Sequence, residues 1–168
     1  MILYFVRHAI AQDAQSWGKG DETRPLTAEG VKKMREVAAG LAKVVEGFDE
    51  ICCSPLVRAR QTAEVLTQQF KHKKDLVIWK ELIPGTEPAE LQNKVNRLKA
   101  DTVALVGHEP HLGYSVSYFL SGKQDTVQID FKKAAVCCIE FNGSIPATLL
   151  WFIPPKVARA MVRRSRHL

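Results

Sequence analysis

Short apolar runs alternate along the chain with longer stretches in which apolar residues recur every three or four positions. The short runs are Ile2 to Val6, Glu50 to Cys53, Leu76 to Trp79, Thr102 to Val106, Ala135 to Phe141 and Thr148 to Ile153. Each has strand length and is rich in residues that suit a pleated, buried surface, so strands are predicted there. The longest helical pattern follows Thr27, a good N-cap, with apolar residues at Val31, Met34, Val37, Ala38, Leu41, Val44 and Val45; Gly47 is expected to end it. A second helix is expected to open at Ser54-Pro55, with Leu56, Ala59, Ala63, Leu66 and Phe70 as its apolar stripe and Arg58 off that stripe. Pro88 and Pro110 are predicted to open two more, with apolar faces at Leu91, Val95 and Leu98 and at Leu112, Val116, Phe119 and Leu120. Pro154-Pro155 introduces a basic last helix or tail from about residue 155. Strands alternating with amphipathic helices, with no repeat or linker between them, predict one α/β domain over 1–168.

Composition narrows this picture. A chain of 168 residues, 46% of them apolar, buries a substantial core without disulfides or a structural metal. The opening run Met1 to Val6 is too short for a secretion signal, and no segment approaches the roughly 20 apolar residues of a membrane span, so the expected location is the cytoplasm and no membrane contact is expected. Cys52-Cys53 and Cys137-Cys138 are adjacent pairs on predicted strands. Neighbours on a strand face opposite ways, which suits buried, reduced thiols and not a zinc site. The net charge of +6 comes partly from Lys156, Arg159, Arg163, Arg164 and Arg166. A terminal cluster of this kind reads as a solvated, partly frayed helix end, and without an aromatic-rich face or recognisable motif it does not predict nucleic-acid binding.

The chemistry-bearing residues fall at the ends of strands. Arg7-His8 follows the first and Gly107-His108 the fourth. Ligands of open α/β sheets bind outside the carboxyl ends of strands, so two histidines a hundred residues apart in sequence can converge there. Arg58, in the first turn of the helix after the second strand, adds a guanidinium where helix N–H groups already favour an anion. Two arginines, two histidines and a helix N-terminus facing one point would suit a tetrahedral oxyanion, phosphate above all.

These residues also sit in familiar wording. Phe5-Val6-Arg7-His8-Ala9 resembles the Arg-His-Gly signature of the histidine phosphatase superfamily. Leu26-Thr27-Ala28-Glu29-Gly30 is similar to its Leu-Thr-x-x-Gly helix start, the run from Ser54 to Ala63 to its Ser-Pro-Leu-x-Arg-Ala-x-Gln-Thr-Ala block, and Val106-Gly107-His108 completes the set. The resemblance covers the chain to about Leu120. It implies a three-layer α/β/α fold of the phosphoglycerate mutase type, with a mostly parallel sheet of about six strands. It further implies a phosphatase without metal or cofactor, in which neutral His8 attacks phosphorus while Arg7, Arg58 and His108 hold the phosphoryl oxygens. A charged His108 beside a neutral His8 is the expected division of labour.

Two features depart from the pattern. Ala9 stands where the signature has glycine, which matters only if the backbone there needs positive φ or a close approach. No residue declares itself as the general acid for the leaving group: Glu81 and Glu87, flanking Pro84-Gly85, are candidates, as are Asp13 and Glu109. A leaving imidazole needs a proton less than an alkoxide does, so a weak acid favours N–P substrates such as phosphohistidine on a protein. The short segment from Leu82 to Glu90, too small to build a large lid, agrees, and Arg24 is placed to add a rim contact. The short chain with Arg24-Pro25-Leu26-Thr27 and Glu81-Leu82-Ile83-Pro84 resembles the bacterial SixA-type phosphohistidine phosphatases. The expected partner is thus a phosphohistidine-bearing protein or, alternatively, a small phosphorylated molecule. A noncatalytic phosphate-binding module is the remaining alternative.

Overall fold

A computed structural model describes residues 1–164; Arg166 of the basic cluster lies outside the described residues. The strands β1 (Ile2–Arg7), β2 (Glu50–Cys53), β3 (Val77–Ile78), β4 (Thr102–Gly107), β5 (Val136–Glu140) and β6 (Thr148–Ile153) form one sheet in the order β3-β2-β4-β1-β5-β6. β1, β2, β3 and β4 pair in parallel, and β5 runs antiparallel to both its neighbours. Parallel neighbours require crossovers, and helices supply them. These are α1 (Ala14–Trp17), α2 (Ala28–Leu41), α3 (Val57–Gln69), α4 (Pro88–Val95), α5 (His111–Ser121) and α6 (Pro155–Arg164).

Strand alternation divides the core into two. Val6, Cys53, Ala104 and Val106 meet α2, α3 and α6 on one face, through Met34, Val37, Ala63, Leu66 and Ala158. Leu3, Phe5, Cys52 and Leu105 meet α4 and α5 on the other, through Leu91, Val95, Leu112, Val116 and Phe119. Helices on both faces give the three layers expected, with the period-two pattern of each strand as the cause. All four cysteines are buried and free, and burial pushes the thiols of Cys52, Cys137 and Cys138 up to about 12 and that of Cys53 up to about 11. No described helix is long and apolar enough to cross a membrane.

Some boundaries differ from the sequence expectation. Helix α2 stops at Leu41, not Gly47, because Lys43 and Val44 bond back three residues, to Gly40 and Leu41, and tighten the last turn. Val45 still reaches the core from this turn, so the apolar spacing outlasts the helix. Helix α3 starts at Val57 with Leu56 at its cap position, two residues later than the expected serine cap, because the Ser54 hydroxyl is committed elsewhere. Helix α6 is not a frayed end at its start: Ala158 is fully buried, and its carbonyl sits where any side chain on Gly40 of α2 would stand, 1.9 Å from a would-be Cβ. Only glycine permits helices to approach this closely.

Candidate active site

The order of the central strands creates the site. β1 and β4 are neighbours, yet the chain leaves β1 toward α2 on one face and leaves β4 toward α5 on the other. Their carboxyl ends therefore bound a crevice that no connection crosses, the usual ligand position in an open α/β sheet. Arg7 pairs with Gly107 in the ladder and the His8 N–H donates to the Gly107 carbonyl at 2.9 Å, so His8 and His108 emerge side by side. Their ring centroids are 5.1 Å apart, and they are only 5% and 2% exposed.

Each ring is oriented by a single hydrogen bond. Nδ1 of His8 lies 2.7 Å from the Ala9 carbonyl oxygen. A carbonyl only accepts, so the proton of the neutral ring resides on Nδ1 and Nε2 keeps its lone pair. His108 is held through Nε2, 2.8 Å from Ser54 Oγ, and Ser54 Oγ also accepts from the Leu56 N–H at 3.3 Å. Ser54 Oγ keeps a proton and a second lone pair for His108 Nε2, so the contact serves either tautomer; where the hydroxyl donates, the neutral His108 proton sits on Nδ1. His8 thus presents a free lone pair at Nε2, and His108 presents its other ring nitrogen, Nδ1, without a protein partner among the described residues.

Burial, assisted by the charges of Arg58 and Arg7, lowers the His8 pKa to about 3. Burial, together with His8 and Arg58, lowers that of His108 to about 3 as well. The expected split between a neutral His8 and a charged His108 is therefore absent from the protein's own electrostatics, because both rings are desolvated and both face cations.

The arginines are clamped from behind. Arg58, 4% exposed, donates from Nη1 to the Asp21 carbonyl at 2.8 Å and from Nη2 to Asp21 Oδ2 at 2.9 Å. Asp21 also pairs with Arg24 at 2.9 Å, and Arg24 Nη1 donates to the Gln12 carbonyl at 2.8 Å. Burial alone would raise the Asp21 carboxyl, but hydrogen bonds from Arg24 and Arg58 hold it below the ordinary carboxylate range. Arg7 Nη1 donates to the Phe131 carbonyl at 2.7 Å. What remains is instructive: Arg7 Nε, Arg58 Nε and His108 Nδ1 are buried without a hydrogen-bond partner among the described residues. Thr67 Oγ1, His72 Nε2 and His111 Nδ1 are unpartnered as well, but Arg7, Arg58 and His108 stand at the strand ends and the start of α3, where an anion would meet them. No side chain caps α3, so its first N–H groups add to this set.

Ala9 and the conserved-looking wording of the second block also acquire reasons. The Ala9 N–H donates to Thr62 Oγ1 at 3.0 Å, and Thr62 Oγ1 donates to the Arg58 carbonyl at 2.7 Å, fixing the loop after β1 to the helix that carries Arg58. Gln61 Oε1 accepts from the Leu26 N–H at 2.7 Å. Ala9 is not among the residues with positive φ, so glycine is not required for its conformation. Gly30, by contrast, is indispensable: a Cβ there would stand 2.0 Å from the Ile10 carbonyl oxygen.

The candidate acids separate. Glu81 faces α4 and pairs with Lys94 at 3.5 Å. Glu87 is exposed at the start of α4, and Asp13 caps α1. Glu109 lies nearest the cluster: its carboxylate accepts from the Gly113 N–H at 2.7 Å and interacts with the Arg7 charge, while burial raises its pKa. Sequence reasoning missed Asp21, which carried no motif, and assigned Ser54 to helix capping when its hydroxyl serves His108.

Comparison with known proteins agrees with this geometry. Residues 3–83 match the pattern of the histidine phosphatase superfamily (branch 1). An uncharacterized protein of Picosynechococcus sp. is 35% identical over 81% of this chain and 82% of its own length. The phosphohistidine phosphatase SixA of Escherichia coli is 28% identical over 96% of this chain and all of its own. A solved structure of the protein histidine phosphatase SixA complexed with tungstate superposes with a TM-score of 0.83 at 24% identity, covering 93% of this chain and 98% of that one. On these grounds, the chain belongs to the histidine phosphatase superfamily.

Proposed function

We propose that this protein is a phosphohistidine phosphatase acting on phosphorylated proteins. His8 Nε2 attacks phosphorus, the bond from phosphorus to the substrate imidazole breaks, and the imidazole, already protonated on its other ring nitrogen, leaves neutral with the electron pair. A water then attacks the phosphorus on His8, releases inorganic phosphate and returns His8 to its neutral state. Arg7, Arg58 and the His108 Nδ1–H hold the three peripheral phosphoryl oxygens, where negative charge must be matched throughout the transfer.

The observation that carries the reading is the set of three buried donors without partners, Arg7 Nε, Arg58 Nε and His108 Nδ1, beside a histidine whose tautomer leaves Nε2 free. The pairing of Glu81 with Lys94 and the exposure of Glu87 support an imidazole leaving group, which departs without strong acid catalysis. The SixA relative supports the same substrate class. A second reading, hydrolysis of small phosphate esters, draws on Glu109, whose burial favours a protonated carboxyl near Arg7. Phosphate release without added metal, from a phosphohistidine-bearing protein and from a panel of metabolite phosphates, separates them. Release from the protein that His8→Ala abolishes is the expected result; faster turnover of the esters, lost in Glu109→Gln, would favour the second reading.

A further inference from the structure

Beside the histidine pair, on the α2 and α6 face of the sheet, lies a groove of about 370 Å³ that shares Arg7 and Ala9 with the end of β1. Nothing in the phosphoryl chemistry uses it. Its floor is apolar, formed by Ile10, Val37, Ala134 and Pro155, and its walls carry Lys33, Lys132, Lys133 and Arg159. Among the described residues, no acidic side chain lines it. Lys33, Lys132 and Arg159 do have acidic partners, Glu29, Asp130 and Glu36, outside the lining. The Lys33 and Lys132 pairs are solvent-exposed, weak and readily exchanged for another carboxylate, whereas Arg159–Glu36 is half-buried. The Lys133 charge reaches into the site, where it helps lower the His8 pKa.

We propose that this groove docks an acidic segment of the phosphorylated protein, an apolar side chain against the floor and flanking carboxylates against the lysines. The proposal rests on the phosphohistidine-protein reading above and deepens it. Charge complementarity selects an acidic partner, and an apolar floor on which Ile10 and Pro155 remain half-buried selects one with a hydrophobic anchor, which a small polar metabolite lacks. The volume lies at the lower end of the range for ligand pockets, about 300–1,000 Å³, and has room for a few side chains of an extended segment. Its position sets the order of events: the phosphorylated residue enters between His8 and His108 while neighbouring residues of the same partner lie over Ala9 toward α2.

The test compares two substrates on one enzyme. kcat/KM is measured for an acidic phosphohistidine-bearing protein and for free phosphohistidine, with wild type and with Lys33→Glu combined with Lys132→Glu. Neither lysine belongs to the phosphate-holding set. The expected result is a loss of about tenfold or more for the protein and of less than about twofold for free phosphohistidine, with a protein rate that also falls as salt is raised. The neutralising pair Lys33→Gln and Lys132→Gln should give a smaller loss with the same selectivity. An unchanged protein rate, or equal losses on both substrates in both double variants, overturns the groove and leaves phosphohistidine hydrolysis standing. Absence of wild-type turnover on both substrates overturns the proposed function and the groove with it.

Discussion

Replacing Ser54 by alanine is the sharpest probe of how the site works, because it touches neither the nucleophile nor an arginine. The hydroxyl is fully buried and makes two hydrogen bonds, accepting from the Leu56 N–H at 3.3 Å and meeting His108 Nε2 at 2.8 Å. Its loss leaves a buried ring nitrogen without a partner, which costs about 1–3 kcal/mol where water cannot enter. With no partner left at Nε2, nothing holds the ring in one orientation or its proton on Nδ1, so the N–H presented to the phosphoryl oxygens is weakened. Removing one preorganised oxyanion donor costs about 10²–10³ in rate in well-studied enzymes; because Arg7 and Arg58 remain, a fall in kcat/KM of about 10–100-fold is expected here. The assay is phosphate release from a phosphohistidine substrate, paired with nitrogen NMR of the histidine rings. Wild type should show His108 protonated on Nδ1, and Ser54→Ala should lose that single tautomer. Wild-type kcat/KM in the variant, or a wild-type His108 that already carries its proton on Nε2, refutes the reasoning.

Three further outcomes are expected. Arg7→Ala and Arg58→Ala should each lose at least about 2 kcal/mol of transition-state stabilisation, read as a fall of about thirtyfold or more in kcat/KM. Gly30→Ala should destabilise the protein by about 2–4 kcal/mol, because the new Cβ must displace the Ile10 carbonyl that anchors Thr27 N–H at 3.0 Å; thermal unfolding measures it, and an unchanged midpoint contradicts the close approach. The pKa values of His8, His108 and His111 lie at about 3, 3 and 4 in the folded protein, below the unfolded value near ~6.5. The unfolded chain therefore binds more protons between these values, so stability contributed by the neutral rings is present above pH ~6.5 and is lost as pH falls toward 3–4. Unfolding measured across that range should show it, and NMR should find neither His8 nor His108 titrating near neutrality.

The sheet and its helices were legible because apolar periodicity encodes them directly. Strands such as Ile2–Arg7 and Thr102–Gly107 are buried on both faces and read as continuous apolar runs. Boundaries were less legible where a residue serves two masters. Ser54 looks like a helix cap in sequence, yet tertiary structure assigns its hydroxyl to a histidine 54 positions away. The convergence of His8 and His108 could be argued from strand ends alone, but the tautomers could not, since they depend on the Ala9 carbonyl and on Ser54. Asp21 was illegible for a related reason: an acidic residue in a polar loop carries no local pattern, and only the fold brings it to Arg58 across 37 positions. The same holds for Glu81, whose position near a turn suggested a rim but whose side chain turns to Lys94 of α4.

The electrostatics of the crevice argue that it is built for an anion before one arrives. Two neutral histidines and two arginines leave a cationic, largely desolvated pocket, a state that by itself costs stability. Asp21 offsets part of that cost at Arg58 through Nη1 and Nη2, and the Phe131 carbonyl does so at Arg7 through Nη1. These contacts occupy one edge of each guanidinium and leave Nε–H unmatched in both. Were the arginines structural, the same backbone and carboxylate partners could have satisfied Nε as well, and burial would favour it. On the proposed function, a dianionic phosphoryl group would meet the remaining donors at once, and the cost of holding them unpaired would be relieved where charge is transferred. Neutral rings serve the same end, since a protonated His8 would have no lone pair to attack with, and desolvation keeps it unprotonated at neutral pH.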